Sequence, residues 1–137
     1  MKTMKLTTLF LAFFLMLVSA SCKYEEGPGI SLRTKKARLS GNWEVEKISE
    51  NDGDVYTPNG NNSIKYTFNK SGSGDGEFKT FGITTTRTFD WEFKNSKEEI
   101  KITYNNGDII YTTILRLTNE EMVLVTPEND RWELEKI

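Results

Sequence analysis

Phe89-Asp90-Trp91-Glu92-Phe93 is followed by Asn95-Ser96-Lys97, then by Ile100-Lys101-Ile102-Thr103-Tyr104, then by Asn105-Asn106-Gly107-Asp108. Apolar and polar side chains alternate within each run, and each run ends in turn-forming residues. A period of two gives a strand one apolar face. Asn-Gly tolerates the positive φ that a tight hairpin needs. Turns this short join antiparallel neighbours only, because a parallel pair needs a long crossover.

The same pattern extends in both directions. Trp43 and Val45 alternate with Glu44 and Glu46, and Ile64, Tyr66 and Phe68 alternate with Lys65 and Thr67. Beyond residue 108, Ile109, Tyr111, Thr113, Leu115 and Leu117 share a face opposite Ile110, Thr112, Ile114 and Arg116. Met122 to Thr126 is a short apolar run, and Trp132 and Leu134 form a last strand. A strand around Glu77 to Phe81 is weaker, since Phe78 and Phe81 fall on opposite faces. Turn residues separate these runs at Asn51-Asp52-Gly53-Asp54, Pro58-Asn59-Gly60-Asn61, Ser71 to Gly76, Asn119-Glu120 and Pro127-Glu128-Asn129-Asp130. The pattern predicts an all-β, antiparallel, up-and-down meander of about eight strands. Such a sheet hides its apolar face and its edges by curling into a barrel or folding into a sandwich.

Ahead of the meander, Lys2 and Lys5 precede a greasy stretch from Leu6 to Val18, then Ser19-Ala20-Ser21-Cys22. A basic start, a short apolar middle and a small-residue exit describe an export signal. The stretch falls short of the roughly 20 apolar residues of a transmembrane helix. It resembles the signal of bacterial lipoproteins, with Ser19 where Leu is usual, as in the relaxed signals of Bacteroidetes-type bacteria. The resemblance implies lipidation of Cys22, acylation of the new N-terminus and anchoring in the outer membrane. Acids Glu25 and Glu26 just behind the anchor resemble a surface-export signal, and the membrane face stays open. Residues 23–30 read as a tether broken by Gly27-Pro28-Gly29. Ser31 to Leu39 reads as one or two helical turns, N-capped at Ser31, with Arg33, Lys35, Lys36 and Arg38 on a solvated face. The expected organisation is a signal over 1–21, tether and helical turn over 22–38, and a barrel domain over 39–137.

Composition narrows the function. Removing residues 1–21 takes away two lysines and no acids, leaving 16 basic and 20 acidic residues, a balance of −4. Nucleic acid rewards basic surfaces, so it is not an expected partner. No histidine is present, which removes Ser-His and Cys-His nucleophiles and the commonest zinc ligand. Cys22 is the only cysteine, so no disulfide framework supports the fold. Asp90 and Glu92 share a strand face, as a glycosidase pair would, but opposite Phe89, Trp91 and Phe93, and they read as a solvated outer face. The oxygen-rich loops at 51–54 and 73–77 lack calcium-loop spacing and read as hairpin turns. The expectation is no enzyme, no cofactor and no metal.

Leu39-Ser40-Gly41-Asn42-Trp43 opens the meander just after the helical turn. Gly41-x-Trp43 at that position resembles the opening motif of lipocalins, and residues 31–137 resemble the small lipocalin-like domains of bacterial lipoproteins. The resemblance implies a helical turn capping one barrel end, with Trp43 beneath it against a basic residue of a late strand. Arg131 matches that residue, with Arg116 second. The Thr-Asp-x-x-Tyr turn of lipocalins is absent from the sequence. An eight-stranded barrel is only just wide enough for its own side chains or one small ligand. The inward aromatic set is Tyr66, Phe68, Phe89, Trp91, Phe93, Tyr104, Tyr111 and Trp132. Within it Tyr66, Trp91, Tyr104 and Tyr111 are the ligand candidates, because their polar tips can orient a molecule in an apolar cavity. The expected function is a monomeric, lipid-anchored envelope lipoprotein that binds a small apolar or amphipathic ligand. The alternative is a filled barrel that holds a protein or glycan through its loops or outer face.

Overall fold

The computed structural model describes Tyr24 and residues 32–137. The signal segment, Cys22, Ser31 and the rest of the tether lie outside the described residues. A short helix α1 (Lys35–Leu39) leads into strands β1 (Gly41–Ser49), β2 (Val55–Tyr56), β3 (Ser63–Phe68), β4 (Ser73–Thr80), β5 (Ile83–Lys94), β6 (Glu99–Tyr104), β7 (Ile109–Leu117), β8 (Glu121–Val125) and β9 (Arg131–Lys136). Each strand pairs antiparallel with its neighbour in the order β1-β3-β4-β5-β6-β7-β8-β9, and β9 returns to β1. That last pairing makes the sheet a closed barrel of eight strands rather than a sandwich. The two-residue β2 extends the edge of β1 beyond the end of β3.

Inward positions follow the alternation. Trp43, Val45 and Ile48 from β1, Phe68 from β3, Phe89 and Trp91 from β5 and Ile100, Ile102 and Tyr104 from β6 are buried together. Two strands depart from the sequence reading. Ser73 to Gly76, read as part of a turn, belongs to β4, and its buried Gly74 and Gly76 are the inward residues. A Cβ at Gly74 would collide with the Phe89 ring and the Thr67 carbonyl, and one at Gly76 would sit 2.9 Å from the Phe78 ring. Glycine there lets the neighbouring aromatic rings lie against the β4 backbone. β5 is 12 residues long, and its first half, Ile83 to Thr88, pairs with β4 alone. That hairpin rises above the barrel rim and turns at Phe81-Gly82, both at positive φ of 51° and 80°.

The strand termini define two ends. At one end α1 closes the barrel. Its N-cap is Thr34, whose Oγ1 accepts from the Ala37 N–H, rather than Ser31. The cations of α1 are not all solvated: Lys35 and Arg38 are both 5% exposed. Arg38 Nη1 donates to the Leu117 carbonyl at 2.6 Å, which fastens α1 to the end of β7. Tyr24, within the segment read as tether, is buried with Lys35 Nζ 4.0 Å from its ring centroid. At the other end, the hairpin turns β4–β5, β6–β7 and β8–β9 surround an open mouth.

Candidate ligand-binding site

Trp43 organises the closed end. It is fully buried, and its Nε1–H donates to the Leu39 carbonyl at 2.7 Å. The residue over its ring is Lys136, with Nζ 4.9 Å from the ring centroid, and not Arg131. Antiparallel closure explains the correction. Trp43 pairs with Lys136, whereas Arg131 pairs with Ser49 at the open end and bonds Glu133. Arg116 lies outside the barrel against Glu121. Lys136 also donates to the Arg38 carbonyl at 2.8 Å, so with Trp43 and Ser40 it satisfies the last carbonyls of α1. Gly41 adopts φ 132°, a backbone region that L side chains rarely enter, and a Cβ there would also have to displace the flexible end of Lys136, 2.7 Å away.

The open end holds a cavity of about 410 Å³, within the range that takes a small molecule. Its walls are mostly apolar: Phe68 comes from β3, the paired Ile102 and Ile110 from β6 and β7, Leu124 from β8 and Trp132 from β9. Thr112, Thr126 and Glu128 add polar groups, Glu128 at the β8–β9 turn. Two of the four candidate residues, Tyr66 and Tyr104, line this cavity, and their hydroxyls hydrogen-bond each other. Burial raises both phenols above the ordinary value of 10.0, Tyr66 the more strongly, so both stay protonated donors at neutral pH.

The other two candidates sit elsewhere. Trp91 is buried towards the closed end, packed edge-on against Phe68 and Phe93 at 5.8 and 5.5 Å. Its Nε1–H is already used by the Asn69 and Ser73 carbonyls. Tyr111 is 48% exposed on the outer face, opposite Lys101. Ile110 and Thr112 take the inward positions instead. β7 carries apolar residues on both faces, so alternation alone could not choose between them. A bulge between Ile114 and Arg116 then shifts the phase, which returns Leu117 to the interior.

The outer face carries ordinary ion pairs. Glu92 is fully solvated and held below the usual carboxylate range, chiefly by its bond to Lys94 at 3.0 Å, with Lys101 at 3.5 Å. It is a poor proton donor at neutral pH. Glu50, Asp52 and Asp54 gather within 4.8 Å of one another, all exposed. Asp54 N–H closes an Asx turn on Asp52, as a hairpin loop explains.

Residues 39–124 match the family model described as the lipocalin-like domain. A lipocalin-like protein from Bacteroides uniformis has a similar structure, with a TM-score of 0.61 and 19% identity. The alignment covers 73% of this chain and 99% of that one. An uncharacterized protein from Bacteroides eggerthii is similar too, with a TM-score of 0.60 and 18% identity, over 72% of this chain and 98% of that one. At such identities the likeness speaks for the fold alone. No match was found among curated proteins.

Proposed function

The chain belongs to the lipocalin-like domain family, and on that premise we propose that it is a non-catalytic, lipid-anchored envelope lipoprotein whose barrel receives one small apolar or amphipathic molecule. The observation that carries this reading is the mouth cavity of about 410 Å³, lined mostly by apolar side chains. Native mass spectrometry of the gently extracted full chain tests it. A co-purifying lipid or small metabolite at one per chain supports the reading, and a consistently empty barrel that also refuses fluorescent fatty-acid probes refutes it.

Anchoring at Cys22 completes the proposal. Tyr24 follows Cys22 by two residues and is buried against α1. An anchor so close to the closed end would hold that end towards the bilayer and turn the mouth away from it. Cys22→Ala should release the protein from outer membranes, and unchanged membrane retention would refute lipidation there.

A second reading has its own observation. Phe81 and Ile83 at the tip of the raised hairpin are 86% and 73% exposed, and Phe81 adopts a left-handed φ that disfavours bulky residues. The tip is also fixed, since the Phe81 N–H donates to Asn62 and Lys79 to the Gly60 carbonyl. A rigid, exposed aromatic tip suits an interaction module that holds a protein or glycan partner.

A further inference from the structure

The polar groups around the mouth are unequal in kind. Tyr66 pairs with Gly76 across β3 and β4, and Gly76 pairs with Arg87 across β4 and β5. All three belong to the inward-pointing series of their strands. Gly76 carries no side chain, and the space over it is taken by the Phe78 ring, 2.9 Å from where a Cβ would stand, with the Tyr66 ring edge at 3.2 Å. The guanidinium lies 5.9 Å from the Phe78 ring centroid, and Phe78 stands edge-on to Tyr66 at the same distance. Arg87 is exposed on the raised hairpin, directly above this row. Its charge acts on both tyrosines, lowering the proton affinity that burial raises. The Tyr66–Tyr104 bond uses one hydroxyl hydrogen and leaves the other free to donate.

Trp132 adds an independent observation. It lines the same cavity, and its Nε1–H is buried with no acceptor among the described residues. A buried indole N–H normally finds a partner, and leaving it without one is unfavourable. The lone carboxylate of the lining, Glu128, stands at the β8–β9 turn, across the mouth from the β4–β5 hairpin. The hairpin side therefore offers donors and a cation to an incoming molecule.

We propose that the mouth holds an oxyanion headgroup between the Arg87 guanidinium and the Tyr66–Tyr104 hydroxyl pair, so that the ligand is an amphipathic acid. Its tail lies among Phe68, Ile102, Ile110 and Leu124. This rests on the ligand-cup reading and adds the class of ligand.

The test compares dansyl-undecanoic acid with its methyl ester by fluorescence titration of the full chain. The two probes share a tail and differ in charge. The acid should bind at least about tenfold more tightly, the scale of one charge-assisted hydrogen bond. Arg87→Gln should bring the acid down to the ester's affinity, and Tyr104→Phe should reduce the preference. Lys79→Gln, on the outer face of the same hairpin, should keep it. Acetate, a headgroup without a tail, should not displace the acid. Equal binding of acid and ester, or a preference that survives Arg87→Gln, overturns the headgroup site while the cup stands. Displacement by acetate at low concentration overturns the amphipathic ligand in favour of a bare anion site. If neither probe binds, the cup reading falls and takes this site with it.

Discussion

Gly74→Ala adds one methyl group at a buried point of β4 and tests the packing that shapes the barrel interior. Two effects oppose each other. Alanine restricts the unfolded chain and would stabilise by about 0.4–1 kcal/mol where its backbone fits. Against that, the new Cβ meets the Thr67 carbonyl oxygen and the Phe89 ring closer than real Cβ atoms come. The carbonyl belongs to the paired β3 backbone and cannot rotate away. The ring is held by Phe68 at 5.5 Å and Tyr104 at 5.7 Å. Overpacking of this kind costs about 1–3 kcal/mol, with the upper half expected because neither neighbour yields. The net loss is then about 1–2.5 kcal/mol, which for a domain of this size lowers Tm by about 5–20 °C. Gly60→Ala is the control, since nothing lies within 4 Å of its Cβ position, and it should be neutral or slightly stabilising. Circular dichroism melts and urea titrations of both variants provide the readout. A Gly74→Ala protein as stable as Gly60→Ala would refute the close packing of β4 against Phe89.

Three further outcomes follow from the same geometry. Lys136→Ala removes the bond to the Arg38 carbonyl and the cation over Trp43, and should cost about 1–2 kcal/mol in urea unfolding, more than Arg131→Ala. Phe81→Asn keeps the tip turn while suiting its φ of 51°, and should raise stability by about 0.5–1 kcal/mol in the same assay. Tyr66 titrates well above 10.0 in the folded chain, so the unfolded chain loses its proton first as pH rises. Stability is therefore undiminished below about pH 10 and falls above it, and the fall should be shallower in Tyr66→Phe when urea midpoints are compared across that range.

The barrel was legible because turns and alternation are local properties. The runs Phe89 to Phe93 and Ile100 to Tyr104 name their inward faces unaided, and Asn-Gly at residues 106–107 names its turn. The Gly41-x-Trp43 motif likewise identified the closed end. Legibility failed where the decisive property was non-local. Gly74 and Gly76 look like loop residues until the aromatic rings that need their missing side chains are seen beside them. The partner of Trp43 is set by which end of β9 meets the start of β1, so it is Lys136 rather than Arg131. Counting back from the end of an antiparallel last strand would have found it. Tyr111 was misassigned because β7 is apolar on both faces and its register with β6 decides the matter. Arg87 carried no local signal, and it enters only through the cross-strand row Tyr66-Gly76-Arg87.

Filling the cup is the most direct test of the ligand-binding account. Ile110 lines the cavity from β7, and Ile110→Trp places an indole in the space reserved for a ligand. Titrating the full-length wild type and the variant with one fluorescent fatty-acid probe should give saturable binding at one probe per chain for the wild type. Ile110→Trp should show little or none while melting as a folded barrel. Equal binding by the two proteins, or a folded wild type that does not bind the probe, would contradict the claim that the mouth of this barrel is a ligand site.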